Sequence, residues 1–232
     1  MKNVVIAGTG ILGEATAYKF LKNGNNVIIN SRNEEHLKKI KNLLSPYGKI
    51  DYIAKNLKDR DSCLLFYNEI KRQAIRIDTL VITIGGYIED TIDDLSGLDE
   101  MVNNHLKIPL LLINALLPSM NSPSNIILVS NSDTFEKNRK NLLSYTVSKY
   151  ALNKSVKLMA AELITRNIRV NGVAPEYIDQ TFEPDRDYTI MRKLGDLPTP
   201  PEDISEVIFF LADENSWING AVIPVDGGHS LI

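Results

Sequence analysis

Short apolar segments alternate with longer amphipathic segments along most of the 232 residues, and this alternation restricts the possible folds more than any other feature. The apolar segments are nearly continuous, which is typical of strands buried on both faces of a parallel sheet. The helical segments between them would carry the chain back to start each new parallel strand, by right-handed connections. The sequence therefore predicts an α/β fold with a doubly wound parallel sheet and helices on both faces.

The apolar segments predict strands at residues 3–8, 26–30, 50–54, 79–85, 125–130, 168–174 and 221–225. The amphipathic segments predict helices at residues 12–23, 33–44, 60–75, 98–119, 142–165 and 202–213. No repeat, low-complexity tract or linker interrupts this pattern, so a single domain over residues 1–232 is expected. Residues 176–200 carry weak periodicity and many charges, which favours a substrate loop or lid with a short helix around 188–194.

Composition excludes several classes of function. The net charge is −3 without any basic block, which argues against nucleic acid or an anionic membrane as a partner. One cysteine and three widely separated histidines predict neither a disulfide nor a metal site. The amino terminus shows no signal-like pattern and no apolar run could span a bilayer, so a cytoplasmic protein with a small-molecule partner is expected.

The first strand is followed by GTGILG, residues 8–13, at the start of a predicted helix. In a strand–turn–helix unit, the G-x-G-x-x-G pattern predicts a dinucleotide site: Gly8 permits the turn, Gly10 admits a diphosphate and Gly13 allows close packing. The diphosphate would bind the N–H groups at the helix start. Cofactor contacts are expected from the whole turn, namely Gly8, Thr9, Gly10, Ile11, Leu12 and Gly13.

Ser31 and Arg32 follow the second strand, where an NAD site of this type usually has an acidic residue. An arginine binds a 2′-phosphate through charge-assisted hydrogen bonds, so NADP is the expected cofactor. The alternative is that the enzyme uses NAD and that Arg32 is an exposed side chain without any cofactor contact.

The stretch YTVSKYALNK, residues 145–154, contains two tyrosine–lysine pairs at i, i+4 spacing. Tyr145 pairs with Lys149 and Tyr150 with Lys154, and each pair shares one face of a helix. The pairs are five residues apart, so they face in different directions. Their spacing alone leaves open which pair has a chemical role.

Over nearly its whole length the chain resembles the short-chain dehydrogenase/reductase family, and most closely its 3-oxoacyl-[acyl-carrier-protein] reductases. The matching segments, in order, are GTGILG (8–13), NL (56–57), IDTLVITIG (77–85), NIILVSNS (125–132), YTVSK (145–149), IRVNGVAPEYID (168–179) and WINGAVIPVDGG (217–228). This resemblance implies a Rossmann-like sheet of seven strands in the order 3-2-1-4-5-6-7. It also implies NADP-dependent interconversion of a carbonyl and an alcohol, with a 3-oxoacyl thioester as one candidate substrate.

The resemblance also implies the catalytic residues. The family's serine lies about thirteen residues before its tyrosine, which matches Ser132 and Tyr145 and leaves Tyr150 on another face. Tyr145 would give a proton to the carbonyl oxygen, and Ser132 would orient that oxygen. Lys149 would lower the pKa of Tyr145 and hold the nicotinamide ribose. Further cofactor contacts are implied at Asn56, Leu57, Thr83, Ile84, Gly85, Pro175 and Ile178.

The chain departs from the family pattern at several positions. Its glycine turn spans six residues instead of seven, and Thr83 replaces an asparagine. The family's catalytic asparagine aligns with His105, although Asn104 is one residue away, so His105 is a candidate catalytic residue with a plain helical role as its alternative. Glu176 replaces a glycine and would face either the pocket mouth or solvent.

Two functional alternatives remain open on these residues. One is a sensor or scaffold protein that binds NADP without turnover, and the other is an NAD-linked sugar or alcohol dehydrogenase. Family members of this length are usually tetramers, so a homotetramer, or a homodimer, is expected.

Overall fold

The computed structural model describes residues 1–134, 139–213 and 216–232. It contains a seven-stranded parallel sheet in the order β3-β2-β1-β4-β5-β6-β7, which confirms the predicted topology. The strands are β1 (Asn3–Ala7), β2 (Asn26–Ser31), β3 (Ile50–Ala54), β4 (Ile77–Ile82), β5 (Met120–Val129), β6 (Ile168–Ala174) and β7 (Val222–Pro224). The α-helices are α1 (Ile11–Lys22), α2 (Glu34–Leu44), α3 (Arg60–Arg72), α4 (Leu98–Val102), α5 (Ile108–Leu116), α6 (Leu143–Leu163) and α7 (Pro201–Ala212).

The central strands are apolar because both of their faces are covered. Val4, Val5, Ile6 and Ala7 of β1 are all fully buried, and successive side chains point to opposite faces of the sheet. Val5 packs with helices α3, α5 and α6 on one side, whereas Ile6 packs with α1, α2 and α7 on the other. The hydrophobic effect therefore acts on both layers, as a continuous apolar strand requires.

The long helical span predicted for residues 98–119 is interrupted. Helix α4 passes into a π-helical segment, Asn103–Lys107, before α5 begins at Ile108. A π-helical turn contains an extra residue and frequently occurs at functional sites. The interruption changes the direction of the side chains near His105, and it lies next to α6.

The carboxyl ends of β1 and β4 lie side by side at the point where the strand order reverses. Ligands of doubly wound sheets bind in the crevice outside such a switch point. Gly8, Thr83 and Ser132 follow β1, β4 and β5 at this same edge of the sheet. The topology therefore places the predicted site residues of distant segments near one crevice.

The segment 176–200 is fastened to the body of the protein. Asp185 accepts hydrogen bonds from Tyr18 (2.6 Å), Lys22 (2.6 Å) and Tyr47 (2.7 Å). A short 3-10 helix, Tyr188–Met191, lies within the predicted helical stretch. Across the described ranges, no helix is both long enough and apolar enough to cross a bilayer.

Candidate active site

The glycine turn packs tightly against the end of β4. Gly8 has a φ of +93°, and a Cβ at this residue would lie 2.5 Å from the backbone nitrogen of Ile84. Thr83 donates its hydroxyl hydrogen bond to the Gly8 carbonyl oxygen. Thr83, which replaces the family's asparagine, thus joins the turn to β4.

An open space lies at the start of α1. A Cβ on Gly10 would meet no atom within 4 Å, and Gly10 is the N-cap of the helix without a side-chain cap. The first N–H groups of a helix need hydrogen-bond acceptors, and the helix dipole favours an anion there. Backbone N–H groups together with this space fit the diphosphate of a dinucleotide. Gly13 permits the close helix–turn contact, because its Cβ would lie 3.2 Å from the Gly8 oxygen.

The predicted residues at the far end of this crevice differ in their surroundings. Arg32 and Asn56 are exposed, and neither side chain has a hydrogen bond or ion pair with the residues that the structure describes. Leu57 lies in the hydrophobic core beneath β3, and Leu12 is buried in the core on the other face of the sheet. Leu12 and Leu57 could therefore contact a cofactor only through their backbone atoms.

Tyr145 and Lys149 lie on the inner side of α6, whereas Tyr150 is 62% exposed. The Lys149 ammonium donates a hydrogen bond to the Val129 oxygen at 2.9 Å and lies 5.9 Å from the centre of the Tyr145 ring. Burial lowers the pKa of Lys149 to about 8. A lysine with this pKa can take part in proton exchange near neutral pH.

The Tyr145 ring is enclosed by aromatic and amide groups. Its centre lies 5.2 Å from that of His105 and 5.4 Å from that of Tyr87, with both rings packing edge-on. Burial raises the pKa of Tyr145 to about 12, and a hydrogen bond from Asn131 acts in the opposite direction. The phenol is therefore protonated at neutral pH and ready to donate its proton.

His105, and not Asn104, is the residue that contacts Tyr145. Its Nδ1 lies 2.8 Å from the Ser148 hydroxyl and its Nε2 lies 3.2 Å from the Gly86 oxygen. Burial, followed by the positive charge of Lys149, lowers the pKa of His105 to about 3. The imidazole is therefore neutral, so one ring nitrogen donates a hydrogen bond and the other can only accept one. Asn104 instead donates to the Gly85 oxygen at 3.3 Å.

Ser132 follows β5 and is buried. Its N–H donates to the Pro175 oxygen at 3.0 Å, which joins the ends of β5 and β6. Although burial alone would raise it, the pKa of Asp226 is lowered by hydrogen bonds from Ser230, Gly228 and Ser132. The Ser132 hydroxyl thus lies near this carboxylate, but it has no well-aligned partner among the described residues. It can turn to a substrate oxygen.

Comparison with known proteins gives the family. The model of a family described as "Enoyl-(Acyl carrier protein) reductase" matches residues 6–230. The chain belongs to the short-chain dehydrogenase/reductase family. It is therefore a nicotinamide-dependent oxidoreductase that acts on CH–OH groups.

The curated relatives include enzymes of this family from distant organisms. A 3-oxoacyl-[acyl-carrier-protein] reductase FabG of Thermotoga maritima is 31% identical, with 96% of this chain and 94% of the relative covered. Human dehydrogenase/reductase SDR family member 4 is 29% identical, with 97% and 86% covered.

Solved structures also match over full length. A structure of ElxO with NADP bound has a TM-score of 0.83 at 25% identity and 100% coverage of both chains. A short-chain dehydrogenase/reductase of Serratia marcescens has a TM-score of 0.86 at 22% identity, with 99% and 98% covered, and shows the fold alone.

The geometry corrects one expectation that the family resemblance raised and decides one question that it left open. Lys149 was expected to lower the pKa of Tyr145, but burial of the phenol dominates and the pKa rises. The open question of Glu176 is also decided: its side chain is 3% exposed and does not point to solvent. In both cases burial, which the sequence pattern does not report, determines the result.

The sequence analysis missed several residues of the site. Asn131 hydrogen-bonds Tyr145, and Tyr87 packs on the same ring. Arg139 reaches the Glu176 carboxylate. A polar residue at the carboxyl end of a buried strand was the available signal for Asn131, whereas no motif marks Tyr87 or Arg139. Among the described residues, no group of three or more histidine, cysteine or acidic side chains forms a metal site.

Proposed function

We propose that the chain is an NADP-dependent reductase that interconverts a carbonyl and a secondary alcohol, with Ser132, Tyr145 and Lys149 as catalytic residues. The observation that supports this proposal most directly is the burial of Lys149 beside the Tyr145 ring, on the helix that borders the carboxyl end of β5. Lys149 forms no ion pair with an acidic residue in the described ranges. Burial of a lysine in this way is costly, and perturbed groups of this kind concentrate at functional sites.

The proposed chemistry follows from the protonation states. Bound nicotinamide supplies the hydride in the reductive direction. Tyr145 is protonated and donates its proton to the substrate oxygen, while the Ser132 hydroxyl orients that oxygen. Asn131 stabilises the resulting phenolate by its hydrogen bond. Because the pKa of Lys149 is about 8 and that of Tyr145 about 12, transfer of a proton from the Lys149 ammonium to the Tyr145 phenolate is energetically favourable.

The neutral His105 serves in this proposal as a positioning residue. Its ring supports Tyr145 from the edge, and its contact with Ser148 joins the π-helical segment to α6. With a pKa of about 3, an imidazolium at this position would not be populated at neutral pH. His105 is therefore not proposed as a general acid.

NADP is proposed as the cofactor because Arg32 follows β2 and has no partner that would compete for its guanidinium within the described part of the chain. Gly8, Thr9, Gly10, Ile11, Leu12 and Gly13 would hold the diphosphate, and Ser31 and Arg32 the 2′-phosphate. Arg32→Ala should weaken NADPH binding at least tenfold and leave NADH binding within twofold. Equal binding of NADH and NADPH by the wild type would contradict the proposal and favour an NAD-linked enzyme.

Of the remaining expected contacts, Asn56 and Leu57 would lie near the adenine, Thr83, Ile84 and Gly85 follow β4, and Pro175 and Ile178 would line the nicotinamide. Pro175 is buried and its oxygen accepts a hydrogen bond from the Ser132 N–H. Ile178 pairs with Thr199 across the base of the segment 176–200. We propose this segment as the substrate lid, since both of its ends are fastened near the site.

The exposed face of α6 supports association of copies of the chain. Val147 and Leu158 are each 53% exposed, and Tyr150 is 62% exposed. Apolar side chains on one exposed helix favour burial in an interface. Sedimentation at several protein concentrations would distinguish a homotetramer or homodimer from a monomer.

The test of the catalytic proposal is NADPH oxidation with a panel of carbonyl compounds, including neutral β-ketoesters, diketones, aldoses and β-ketoacyl thioesters. Tyr145→Phe should lower kcat by at least about 100-fold, because the proton donor is lost, while NADPH binding is retained. Equal rates of the two proteins would remove Tyr145 as the acid. Tight NADPH binding without turnover of any compound would favour the sensor protein instead.

A further inference from the structure

Glu176, which replaces a glycine of the family pattern, belongs to an ionic cluster in which its own side chain is buried and that of Arg139 is 44% exposed. Arg139 contacts both carboxylates of this cluster: its Nε lies 2.9 Å from Asp133 Oδ2, and its Nη2 donates to Glu176 Oε1. His229 Nε2 lies 3.5 Å from the same Glu176 oxygen. We refer to Asp133, Arg139, Glu176 and His229 as the Glu176 cluster.

The Glu176 cluster adjoins the catalytic tyrosine. Asn131, which hydrogen-bonds the Tyr145 hydroxyl, also donates to the backbone oxygen of Glu176 at 3.2 Å. The negative charge of Asp133 is close enough to contribute to the raised pKa of Tyr145, after the effect of burial. A charge in this cluster therefore acts on the position where a carbonyl oxygen would meet Tyr145.

The arginine of the cluster also lies close enough to Tyr87 to act on it. The pKa of Tyr87 is raised by burial and by Glu89, and the Arg139 charge lowers it. Because the Tyr87 ring packs on Tyr145, the Arg139 charge also acts on the aromatic side of the site.

The cluster has an excess of negative charge. Asp133 and Glu176 contribute two carboxylates against the single guanidinium of Arg139. The Glu176 side chain is 3% exposed, and its Oε2 has no hydrogen-bond partner among the described residues. A buried carboxylate with one unpaired oxygen is only partly compensated, so it maintains a negative potential nearby.

We propose that the Glu176 cluster makes the site selective for the charge of its substrate. The site accepts uncharged or cationic carbonyl compounds and discriminates against anionic ones. This inference rests on the proposed reductase function. One unit charge acting over roughly 10 Å, at an effective dielectric constant of about 20, changes a rate constant by about tenfold. Carboxylates, coenzyme A thioesters and acidic carrier proteins would all be disadvantaged.

The cations of the lid segment 176–200 are not free to attract an anionic substrate or carrier protein. Arg186 pairs with Glu202 and Arg192 with Asp203, while Lys193 pairs with Asp196. These three are the lysine and arginine residues of the lid, and an acidic carrier protein would need such cations. Since each already has a carboxylate partner, the lid adds no free cation that would oppose the negative charge of the Glu176 cluster.

The experiment compares kcat/KM for matched substrates that differ in charge: acetoacetyl-N-acetylcysteamine against acetoacetyl-coenzyme A, and ethyl acetoacetate against acetoacetate. The wild type should prefer the neutral member of each pair. Glu176→Gln keeps the size of the side chain and removes its charge, so the relative kcat/KM for the anionic member should rise about tenfold. Arg139→Gln should shift the ratio in the opposite direction.

Two further variants make the result decisive. Glu69→Gln removes a carboxylate that pairs with Arg72 at the end of α3, which leads to the amino end of β4 and hence to the opposite edge of the sheet, and it should leave the ratio unchanged. Glu176→Gly introduces the family's residue, and it gives the answer if Glu176→Gln does not fold. An unchanged ratio in an active Glu176 variant would overturn the inference while the reductase function stands. If the wild type binds NADPH but reduces none of these four compounds and none of the wider panel, the proposed function and this inference both fail; if it reduces other compounds of the panel but shows no preference for neutral over anionic ones, only this inference fails.

Discussion

Two glycines of the same turn should respond in opposite ways to alanine substitution. Gly10 has φ −103° and ψ −162°, which any residue adopts, and a Cβ there meets no atom within 4 Å. Gly10→Ala should stabilise the protein by about 0.4–1 kcal/mol, because alanine lowers the conformational entropy of the unfolded chain. The substitution should also destabilise the protein by a similar amount, because alanine is a poor N-cap residue. The free energy of unfolding should therefore stay within about 0.5 kcal/mol of wild type.

The same methyl group should interfere with the cofactor. It would occupy the open space in front of the α1 N–H groups, where the diphosphate is proposed to bind. NADPH affinity should fall at least tenfold, which a fluorescence titration of NADPH measures directly. A variant with unchanged stability and lost affinity would assign this space to the dinucleotide.

Gly8→Ala is the matched control, since it changes the same atoms two residues earlier. The left-handed φ of +93° costs roughly 1–2 kcal/mol for alanine. The contact of 2.5 Å with the Ile84 nitrogen adds about 1–3 kcal/mol, because a backbone atom cannot move aside easily. The total loss of about 2–5 kcal/mol should lower Tm by roughly 4–20 °C.

Urea denaturation followed by circular dichroism, alongside the NADPH titration, tests both variants. The reasoning is refuted if Gly10→Ala binds NADPH as tightly as wild type does. It is also refuted if Gly8→Ala is as stable as wild type, because the close approach of the turn to β4 would then carry no cost.

Three other predictions concern buried titratable groups. The pKa of His105 is about 3 in the folded protein against an ordinary value near 6.5, so the unfolded chain binds an extra proton between these values. Stability should therefore fall as pH drops from 6.5 towards 4, and His105→Asn should reduce this fall in urea denaturation at each pH. Lys149 affects stability at alkaline pH, because its pKa is about 8 in the folded protein and near 10.5 in the unfolded chain. The free energy of unfolding of the wild type should therefore rise by roughly 2–3 kcal/mol relative to that of Lys149→Met between pH 7.5 and 10.5. A parallel pH dependence of these two proteins would contradict the burial of the charge. Cys63 is buried and its pKa is raised to about 11 by burial, so Ellman's reagent should react only after denaturation, and fast reaction of the native protein would disprove this.

The order of the fold was predictable because its signals are local. Strands β3 and β6 have the predicted bounds, and the glycine turn lies between β1 and α1 as expected. Strand β5 begins at Met120, five residues before the prediction, because the polar segment that contains Pro123 is drawn into the sheet. Met120 pairs there with Ile77 of β4, a contact that no local pattern reports.

The site was predictable to the extent that its residues share a helix or follow a strand. The distance along the chain from Ser132 separated Tyr145 from Tyr150, and the structure leaves Tyr150 exposed. Arg139 and Tyr87 come from segments without a recognisable motif, and only the folded chain brings Tyr87 onto Tyr145 and Arg139 close to Tyr87. Their presence could not be deduced from spacing.

The pKa values of Tyr145 and Lys149 could not be predicted from sequence spacing either, and they support a catalytic role for both residues. Helical spacing predicts that Lys149 lies near Tyr145, but the effect on pKa depends on how much water remains. Burial dominates for both groups and moves their pKa values apart, to about 12 for the phenol and about 8 for the ammonium. The lowered lysine pKa corresponds to a cost of roughly 3 kcal/mol at neutral pH, although methionine would fill the same volume without a charge. Stability of the fold therefore gives no reason to retain this lysine. The proposed catalytic cycle does give one, because the Tyr145 phenolate must regain a proton and Lys149 can supply it.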